Sequence, residues 1–442
     1  MCFPALTGEV LTELAHLFGL WGVIVTPGGG TLWWALTLSL MSTIVVLSHL
    51  CATRPNVPGH YAALMTAKIV STTAFAFLIF VHGPAWLVCV IGDGFVAFTL
   101  WFARSRMPRL TPPPGFARRY HGAGPFSEEY FGKVDIAPGR ALWFRYSILD
   151  GKIREASAWG IMFDRGQIHG ARKIWKLDAL APGNAVIIPP GPDAQRYEGL
   201  WQVFSISGAR LDPRNAIGQA GDISWDLRLN SSGRHFSHVP AVLRRLGLIS
   251  TGYDSCMIDL RVSGTVRIGS ELIVVDGATG MVGHIWGRKK RLSAWVWTHC
   301  NQFSGAPDVV FEGLSGLVGE ESMARGPLTS LVLFTGQKRY RFNDARMLSH
   351  PSSQFTSSEW TFRAERKGVV LSGRVALPEH QAVVEYTDTD GSKIWCRNSK
   401  MSDLTVRLED RAAGIDRTFR ANGTAAFEFA NRFRPEREVD VQ

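Results

Sequence analysis

Long apolar runs near the start of the chain constrain its fold more than any other feature. Three of them, residues 31–51, 61–82 and 84–103, contain few charged side chains. At about 1.5 Å per helical residue, each is long enough to cross a hydrocarbon core of about 30 Å. A weaker run over residues 9–26 is a fourth candidate. The sequence therefore predicts an α-helical transmembrane domain of three to four spans over residues 1–104.

Basic residues beside these runs predict the orientation of the chain. Arg54 lies between two of the runs, and several Arg residues, from Arg104 to Arg119, follow the last one. By the positive-inside rule both basic segments face the cytoplasm. We expect a multi-pass protein of the cell (inner) membrane whose C-terminal part lies in the cytoplasm. Residues 105–120 include Pro112, Pro113 and Pro114, which predict an extended linker.

Two charged residues inside the apolar runs require an explanation. Lys68 and Asp93 lie on neighbouring predicted spans, so the ammonium group can reach the carboxylate. Two interpretations remain open. The residues form a structural ion pair that locks the helical hairpin, or they line a path for a proton or ligand.

Composition limits the partners of the soluble part. The six cysteines show no C-x-x-C pair, which favours a reduced compartment over a disulfide framework or a zinc site. The formal net charge of +10 comes from scattered residues and the cluster beside the last span. Attraction to the anionic lipid bilayer explains this charge, and we expect no nucleic-acid partner. The sequence has no nucleotide-binding motif and no His or Cys cluster with metal-ligand spacing, so we expect no cofactor and no metal.

The chain after residue 120 has the pattern of β structure. Short segments rich in aromatic and β-branched residues alternate with turns such as Asp150-Gly151. The best helical periodicity covers only residues 239–248. A Ser-Gly motif with similar surroundings occurs twice, at Gly264 and Gly373. This echo predicts two tandem antiparallel β-barrels, 121–305 and 306–442, with a single large sandwich as the alternative.

Two neighbouring segments carry a resemblance to a known family. The first reads Gly-His-Ile-Trp-Gly at residues 283–287, and the second reads Trp-Val-Trp-Thr-His-Cys-Asn-Gln-Phe at residues 295–303. Together they resemble the central signature of the lipocalin-like superfamily that contains the carotenoid 1,2-hydratases and the tocopherol cyclases. Weaker matches occur at residues 158–165 and 386–392, so the resemblance spans roughly residues 126–408. The resemblance does not extend to the apolar runs.

The resemblance implies two lipocalin-like barrels and acid chemistry on polyene or prenylated lipids. Such chemistry needs a proton donor in a dry pocket with aromatic walls. The candidate acid/base residues are His284, then Asp164, then Glu312, and a carboxylic acid that an apolar wall keeps protonated would suit the last of these. The residues expected to line the substrate cavity are Trp286, Trp295, Trp297, Asn301 and Phe303.

Simpler interpretations of these residues also remain open. The Trp residues follow the period of two that ordinary strand packing requires, and Asp164 precedes Arg165-Gly166 as a turn residue would. Two functions therefore remain. The first is a membrane-tethered, cofactor-independent hydro-lyase, cyclase or isomerase of an isoprenoid, carotenoid or steroid-like lipid. The second is a non-catalytic lipid-binding or lipid-carrier protein.

Overall fold

The chain divides into two compact units, Met1–Thr111 with Arg196–Leu200, and Pro112–Gln195 with Trp201–Gln442. The structure, a computed structural model, describes part of each unit. The described residues are 63–73, 76, 87–106, 113–120, 122, 124–177, 203–240, 242–243, 246, 249, 251–288, 292–319, 325–344, 351–436 and 440–441.

Two helices are described in the first unit, α1 over residues 63–73 and α2 over Leu87–Arg106. Within the described residues, no helix has both the length and the hydropathy of a membrane span. The predicted runs at 9–26 and 31–51 lie outside the described residues. The predicted ion pair is confirmed, because Lys68 Nζ lies 2.7 Å from Asp93 Oδ1.

The second unit is built from antiparallel strands in two curled sheets. The first sheet contains β1 (Phe126–Ala137), β2 (Arg140–Asp150), β3 (Arg154–Asp164), β4 (Gln167–Lys176), β5 (Phe204–Ile206), β6 (Ala209–Leu211), β7 (Asn215–Ala220), β8 (Ile223–Ser231), β9 (Phe236–Ser237), β10 (Thr251–Ile268) and β11 (Glu271–Gly287). The second contains β12 (Leu292–Cys300), β13 (Val309–Val318), β14 (Arg325–Thr335), β15 (Lys338–Phe342), β16 (Ser352–Phe355), β17 (Glu359–Arg366), β18 (Val369–Ala376), β19 (Ala382–Thr387), β20 (Lys393–Asp410) and β21 (Ile415–Asn431).

The two sheets share one topology. In each, the first strand pairs with the last, β1 with β11 and β12 with β21. The strand orders are 4-3-2-1-11-10-8-7-6-5 and 15-14-13-12-21-20-18-17-16. The prediction of a mainly β protein with two antiparallel repeats is therefore confirmed. Among the described residues each sheet has two free ends, so the repeats are half-barrels rather than the closed barrels that the sequence predicts.

The change from one sheet to the next falls earlier than the predicted division at residues 305 and 306. Strand β12 pairs with β13 and β21, so it belongs to the second sheet. The change therefore lies between Gly287 and Leu292. Both sheets belong to the same compact unit.

Alternation of side chains along the strands produces separate layers of core. On β1, Tyr130 packs inside the first sheet, whereas the next residue, Phe131, packs in a layer with Trp297 and Tyr386 of the second sheet. The second sheet has its own interior around Phe311 and Trp360. The layer between the sheets, formed by residues of both, contains the cavity described below.

Candidate active site between the two sheets

A cavity of about 320 Å³ is lined by residues of both sheets. The first sheet contributes Phe131, Tyr253 and Ile285, and the second contributes Trp297 and Leu314. Most of its wall is apolar, and its volume is at the lower end for small-molecule sites. Its composition suits a hydrophobic ligand.

A buried carboxylate, Glu312, lies beside this cavity on β13. Its side chain is fully buried. Oxygen Oε1 accepts hydrogen bonds from the Tyr253 hydroxyl, from Ser255 Oγ (2.6 Å) and from Trp297 Nε1 (2.7 Å). Tyr253 and Ser255 are two residues apart on β10 and so share a face, which is why one carboxylate from the other sheet contacts both. Among the described residues, Oε2 has no hydrogen-bond partner.

The environment of Glu312 favours its ionised form. Burial alone raises the pKa, but His238, the positive charge that His299 can carry and the hydrogen bond from Ser255 together outweigh burial and lower the pKa to about 2. Glu312 is thus a carboxylate at neutral pH, not the protonated acid that the sequence predicts. Burial and the nearby carboxylate raise the pKa of Tyr253 well above its usual value, so its hydroxyl keeps its proton.

A histidine completes the cluster. His238 follows strand β9 and lines the cavity, and its ring stacks on Tyr253 with 4.5 Å between the ring centroids. Nδ1 lies 3.0 Å from Ser330 Oγ, which orients the ring. Nε2 lies 3.3 Å from Glu312 Oε1 and makes no hydrogen bond within the described part of the chain. An imidazole beside an ionised carboxylate is an arrangement that can accept and return a proton.

A second histidine, His299, lies on the strand next to that of Glu312. His299 lies opposite Glu312 in the pairing of β12 with β13, and its Nε2–H donates to the carbonyl oxygen of Ile258 (2.8 Å). Burial lowers its pKa to about 4, so the ring is neutral at pH 7. It joins the two sheets by this hydrogen bond.

His284, the first candidate acid/base residue in the sequence, does not line the cavity. Its ring is fully buried inside the first sheet, where it stacks on Tyr130 at 4.0 Å between centroids. Nδ1 lies 2.7 Å from the carbonyl oxygen of Gly115, and Nε2 lies 2.8 Å from Glu128 Oε1. These contacts hold residues 113–120 against the first sheet. His284 therefore points into the interior of the first sheet, where a carbonyl oxygen and a carboxylate hold its two ring nitrogens, and it does not line the cavity between the sheets.

Glu128 is the ionised partner in that contact. Burial raises its pKa, but His284 and the backbone N–H groups of Arg119 and Tyr120 outweigh this effect, and the pKa is lowered. The backbone nitrogens lie 2.6 and 2.9 Å from the two carboxylate oxygens. These two polar contacts of His284 thus lie in the interior of the first sheet.

Asp164 and Trp286 also lie outside the lining of the cavity. Asp164 ends strand β3 and accepts hydrogen bonds from Arg140, which lower its pKa despite partial burial. Arg165, the residue after it, has a φ of 47°, which marks a tight turn. Trp286 packs against the ring of His284 and under the guanidinium of Arg119. These contacts fit the alternative interpretation, in which Asp164 is a turn residue and Trp286 is a packing residue.

The remaining predicted residues divide between the cavity and the core. Trp295 and Trp297 line the cavity. Asn301 donates from Nδ2 to the carbonyl oxygen of Gly280 (2.9 Å), which joins β11 to the end of β12. Phe303 packs inside the second sheet against Phe419.

Several polar residues of the cavity were not predicted from the sequence, namely Trp143, Arg145, His238, Tyr253 and Ser330. The period of two at Tyr253 and Ser255 was a readable signal that both side chains share a face. Their common partner, Glu312, comes from the other sheet, and no local pattern links the two segments.

Comparison with known proteins agrees with part of the sequence-based resemblance. Residues 230–428 match the model of a family described as Tocopherol cyclase-like. Two uncharacterised proteins of Mycobacterium tuberculosis, from strains H37Rv and CDC 1551, are each 25% identical over 256 residues. That alignment covers 56% of this chain and 74% of each relative.

Three solved structures are also similar to this chain. A putative AttH from Nitrosomonas europaea has a TM-score of 0.46 at 14% identity, over 74% of this chain and 100% of its own. CghA with Sch210972 has a TM-score of 0.47 at 10% identity, over 73% and 95%. Kievitone hydratase from Nectria haematococca has a TM-score of 0.42 at 8% identity, over 74% and 94%.

Proposed function

We propose that this protein is a cofactor-independent enzyme that removes a proton from, or adds a proton to, a hydrophobic lipid held between the two sheets. The lipid is of the isoprenoid, carotenoid or steroid-like class. One observation carries the proposal. His238 lines an apolar cavity, its buried Nε2 makes no hydrogen bond within the described residues, and an ionised carboxylate lies 3.3 Å away. Such an imidazole can take a proton from a ligand while Glu312 stabilises the imidazolium that forms.

The acidity of the available proton donors limits the kinds of reaction that the site can catalyse. Because Glu312 is ionised, the proton donor is the imidazolium of His238 or the hydroxyl of Tyr253. An imidazolium or a phenol is in general a weaker acid than a carboxylic acid, so such a donor suits carbon atoms whose charge a neighbouring carbonyl or conjugated system spreads. Isomerisation, hydration or cyclisation at an oxygen-activated double bond fits this requirement better than protonation of an isolated alkene.

The family match supports chemistry on a lipid. His238, Tyr253 and Glu312 all lie within residues 230–428, the segment similar to the Tocopherol cyclase-like family. The mostly apolar wall of the cavity equally supports the second candidate function, a lipid carrier. The two functions differ in whether His238 exchanges protons with the bound lipid.

We further propose that the N-terminal segment attaches the protein to the inner membrane, with the second unit, hereafter the β unit, in the cytoplasm. The apolar runs and their basic flanks support this attachment. Helix α2 also exposes large apolar side chains, including Ile91 (62%), Phe95 (66%) and Trp101 (56%). Attachment of this kind would give the β unit access to membrane lipids.

Deuterium incorporation tests the enzymatic proposal even while the substrate is unidentified. Lipids that co-purify with the protein are extracted, identified by mass spectrometry, and incubated with the protein in D₂O. We expect carbon-bound deuterium that survives return to ordinary water, because His238 exchanges its proton with solvent between turnovers. His238→Gln should lower the rate by about 10² to 10⁴, the usual contribution of a general acid/base.

Two control variants make the result specific. His169→Gln alters an exposed histidine on β4 and should leave the rate unchanged. His284→Gln should retain exchange in the fraction that folds, because His284 lies off the cavity. A lipid that binds the parent protein without incorporating deuterium would favour the carrier. Loss of exchange in His284→Gln but not in His238→Gln would reject our assignment.

A further inference from the structure

The cavity has polar side chains at two opposite ends. At one end lie Tyr253 on β10 and Ser330 on β14, joined through His238. At the other end lie Arg145 on β2 and Glu428 on β21. The strand order separates Tyr253 from Arg145 by β11 and β1, and Ser330 from Glu428 by β13 and β12. At about 4.8 Å per strand spacing, both sheets place the two ends roughly 14 Å apart.

Apart from Glu129, which pairs with Arg145, the side chains between the two ends are apolar or aromatic. Phe131 and Ile285 lie there on the first sheet, and Leu314 and Trp297 lie there on the second. A ligand that spans the cavity therefore needs an apolar body between two polar groups.

The charges at the second end balance one another. Arg145 pairs with Glu129 at 3.0 Å, and Lys400 pairs with Glu428 at 2.6 Å. Arg145 also lies over the ring of Tyr386, at 4.2 Å from its centroid. An ionic ligand group would leave this balanced set with an excess charge, so a neutral group fits better.

Two buried donors at the same end have no acceptor within the described residues, the indole Nε1–H of Trp143 and the Nε–H of Arg145. Trp143 is 2% exposed and Arg145 is 6% exposed, and both line the cavity. A buried donor without an acceptor is unfavourable, so an oxygen atom supplied by a ligand would satisfy these groups.

We propose that the ligand is a lipid with an apolar body and a neutral oxygen function, hydroxyl or carbonyl, at each end. One oxygen lies at His238 and Tyr253, where the chemistry occurs, and the other accepts from Trp143 and Arg145. This inference rests on the proposed function of the cavity as the lipid site, and it adds the class of lipid. The second oxygen fixes how far the lipid enters and therefore which of its carbons reaches His238.

Binding of two simple probes to the full-length protein tests the inference. The probes are dodecanediol with a hydroxyl at both ends and dodecanol with one, and calorimetry measures the affinity of each. The parent protein should bind the diol about tenfold to a hundredfold more tightly, because only the diol supplies the second acceptor. Trp143→Phe keeps an aromatic ring and removes the N–H, and it should lose most of this preference.

Trp395→Phe is the matched control. The Nε1–H of Trp395 also has no acceptor within the described residues, but Trp395 does not line the cavity. This variant should keep the preference of the parent. Thermal unfolding of both variants shows that they fold.

The outcomes separate this inference from the proposed function. Equal binding of both probes by the parent, or an unchanged preference in folded Trp143→Phe, would overturn the inference and leave the cavity as a lipid site. Failure of the parent to bind either probe would overturn both.

Discussion

At the scale of single residues, the proposed chemistry depends on the charge of Glu312. A carboxyl group among aromatic rings is expected to stay protonated, because burial disfavours its charge. Here Tyr253, Ser255 and Trp297 donate to one of its oxygens, and His238 lies 3.3 Å from the same atom. These contacts, together with the lowered pKa, make Glu312 an ionised carboxylate beside His238 rather than a proton donor.

The pH dependence of stability tests the charge of Glu312. Its pKa is about 2 in the folded protein against an ordinary value of 4.5, so its ionisation stabilises the fold above pH 4.5. That stabilisation is lost as the pH falls from about 4.5 to about 2. Over this range it amounts to roughly 3 kcal/mol, at about 1.36 kcal/mol per pKa unit.

Urea unfolding of the parent protein and Glu312→Gln at pH 6 and pH 3 measures this effect. The difference in free energy of unfolding between the two proteins should shrink at pH 3, since Gln cannot ionise. A difference that is the same at both pH values would mean that Glu312 is already neutral at pH 6.

The sequence identifies some residues of this site and misses others for a physical reason. Trp295, Trp297 and Glu312 lie on β12 and β13, which are adjacent in sequence and in space. His238 and Tyr253 contact Glu312 only because the first sheet packs on the second, and no local pattern predicts that contact. His284 also follows a strand pattern, but its position on the strand places it on the opposite face of β11 from the cavity-lining Ile285.

At the scale of strands, the Ser-Gly echo reflects a local geometry rather than equivalent strands. Gly264 lies on β10, which is next to β11, the last strand of the first sheet in chain order. Gly373 lies on β18, which is separated from β21, the last strand of the second sheet, by β20. In both places an added Cβ would lie too close to a backbone oxygen of the adjacent strand, of Asp226 at 2.1 Å and of Thr405 at 2.6 Å. The echo therefore predicts two similar sheets correctly, but it matches β10 with β18, which do not occupy equivalent positions in the two sheets.

Substitution of Gly264 tests this close contact. Gly264→Ala should lower the free energy of unfolding by more than about 2 kcal/mol, because the Cβ collides with backbone and φ is +141°. Gly269→Ala is the control in the turn between β10 and β11, where φ is +55° and the space is open. It should cost only about 1 kcal/mol. Equal costs for the two variants in chemical denaturation would show that β8 and β10 separate easily at this point.

The boundary between the repeats shows a second limit of strand-level prediction. The segment from Ser304 to Pro307 looks like a linker because it is rich in small residues and turn formers. It connects β12 to β13 within the second sheet instead, and the change of sheet falls between the end of β11 at Gly287 and the start of β12 at Leu292. Turn residues mark every hairpin equally, so the sequence alone does not distinguish a turn inside a repeat from one between repeats.

At the scale of the whole second unit, each sheet forms its own core, and the layer between the two sheets holds the candidate site. Each has its own interior packed with large side chains, such as Phe144 and Trp225 in the first sheet and Trp360 and Phe362 in the second. The polar groups that suit catalysis lie in the layer between the sheets, where His238 comes from the first sheet and Glu312 from the second. A single repeat would hold only half of the cluster, which explains how two similar sheets create a site that neither contains.

A crystal structure of the full-length protein with its co-purified lipid or with dodecanediol bound tests the position of the lipid site most directly. We expect the ligand between the two sheets, against Trp297 and Phe131, with one oxygen within about 3.5 Å of His238 Nε2, the limit of a hydrogen bond. Ligand density inside either sheet, for example beside His284 and Tyr130, with the layer between the sheets unoccupied, would contradict the central claim.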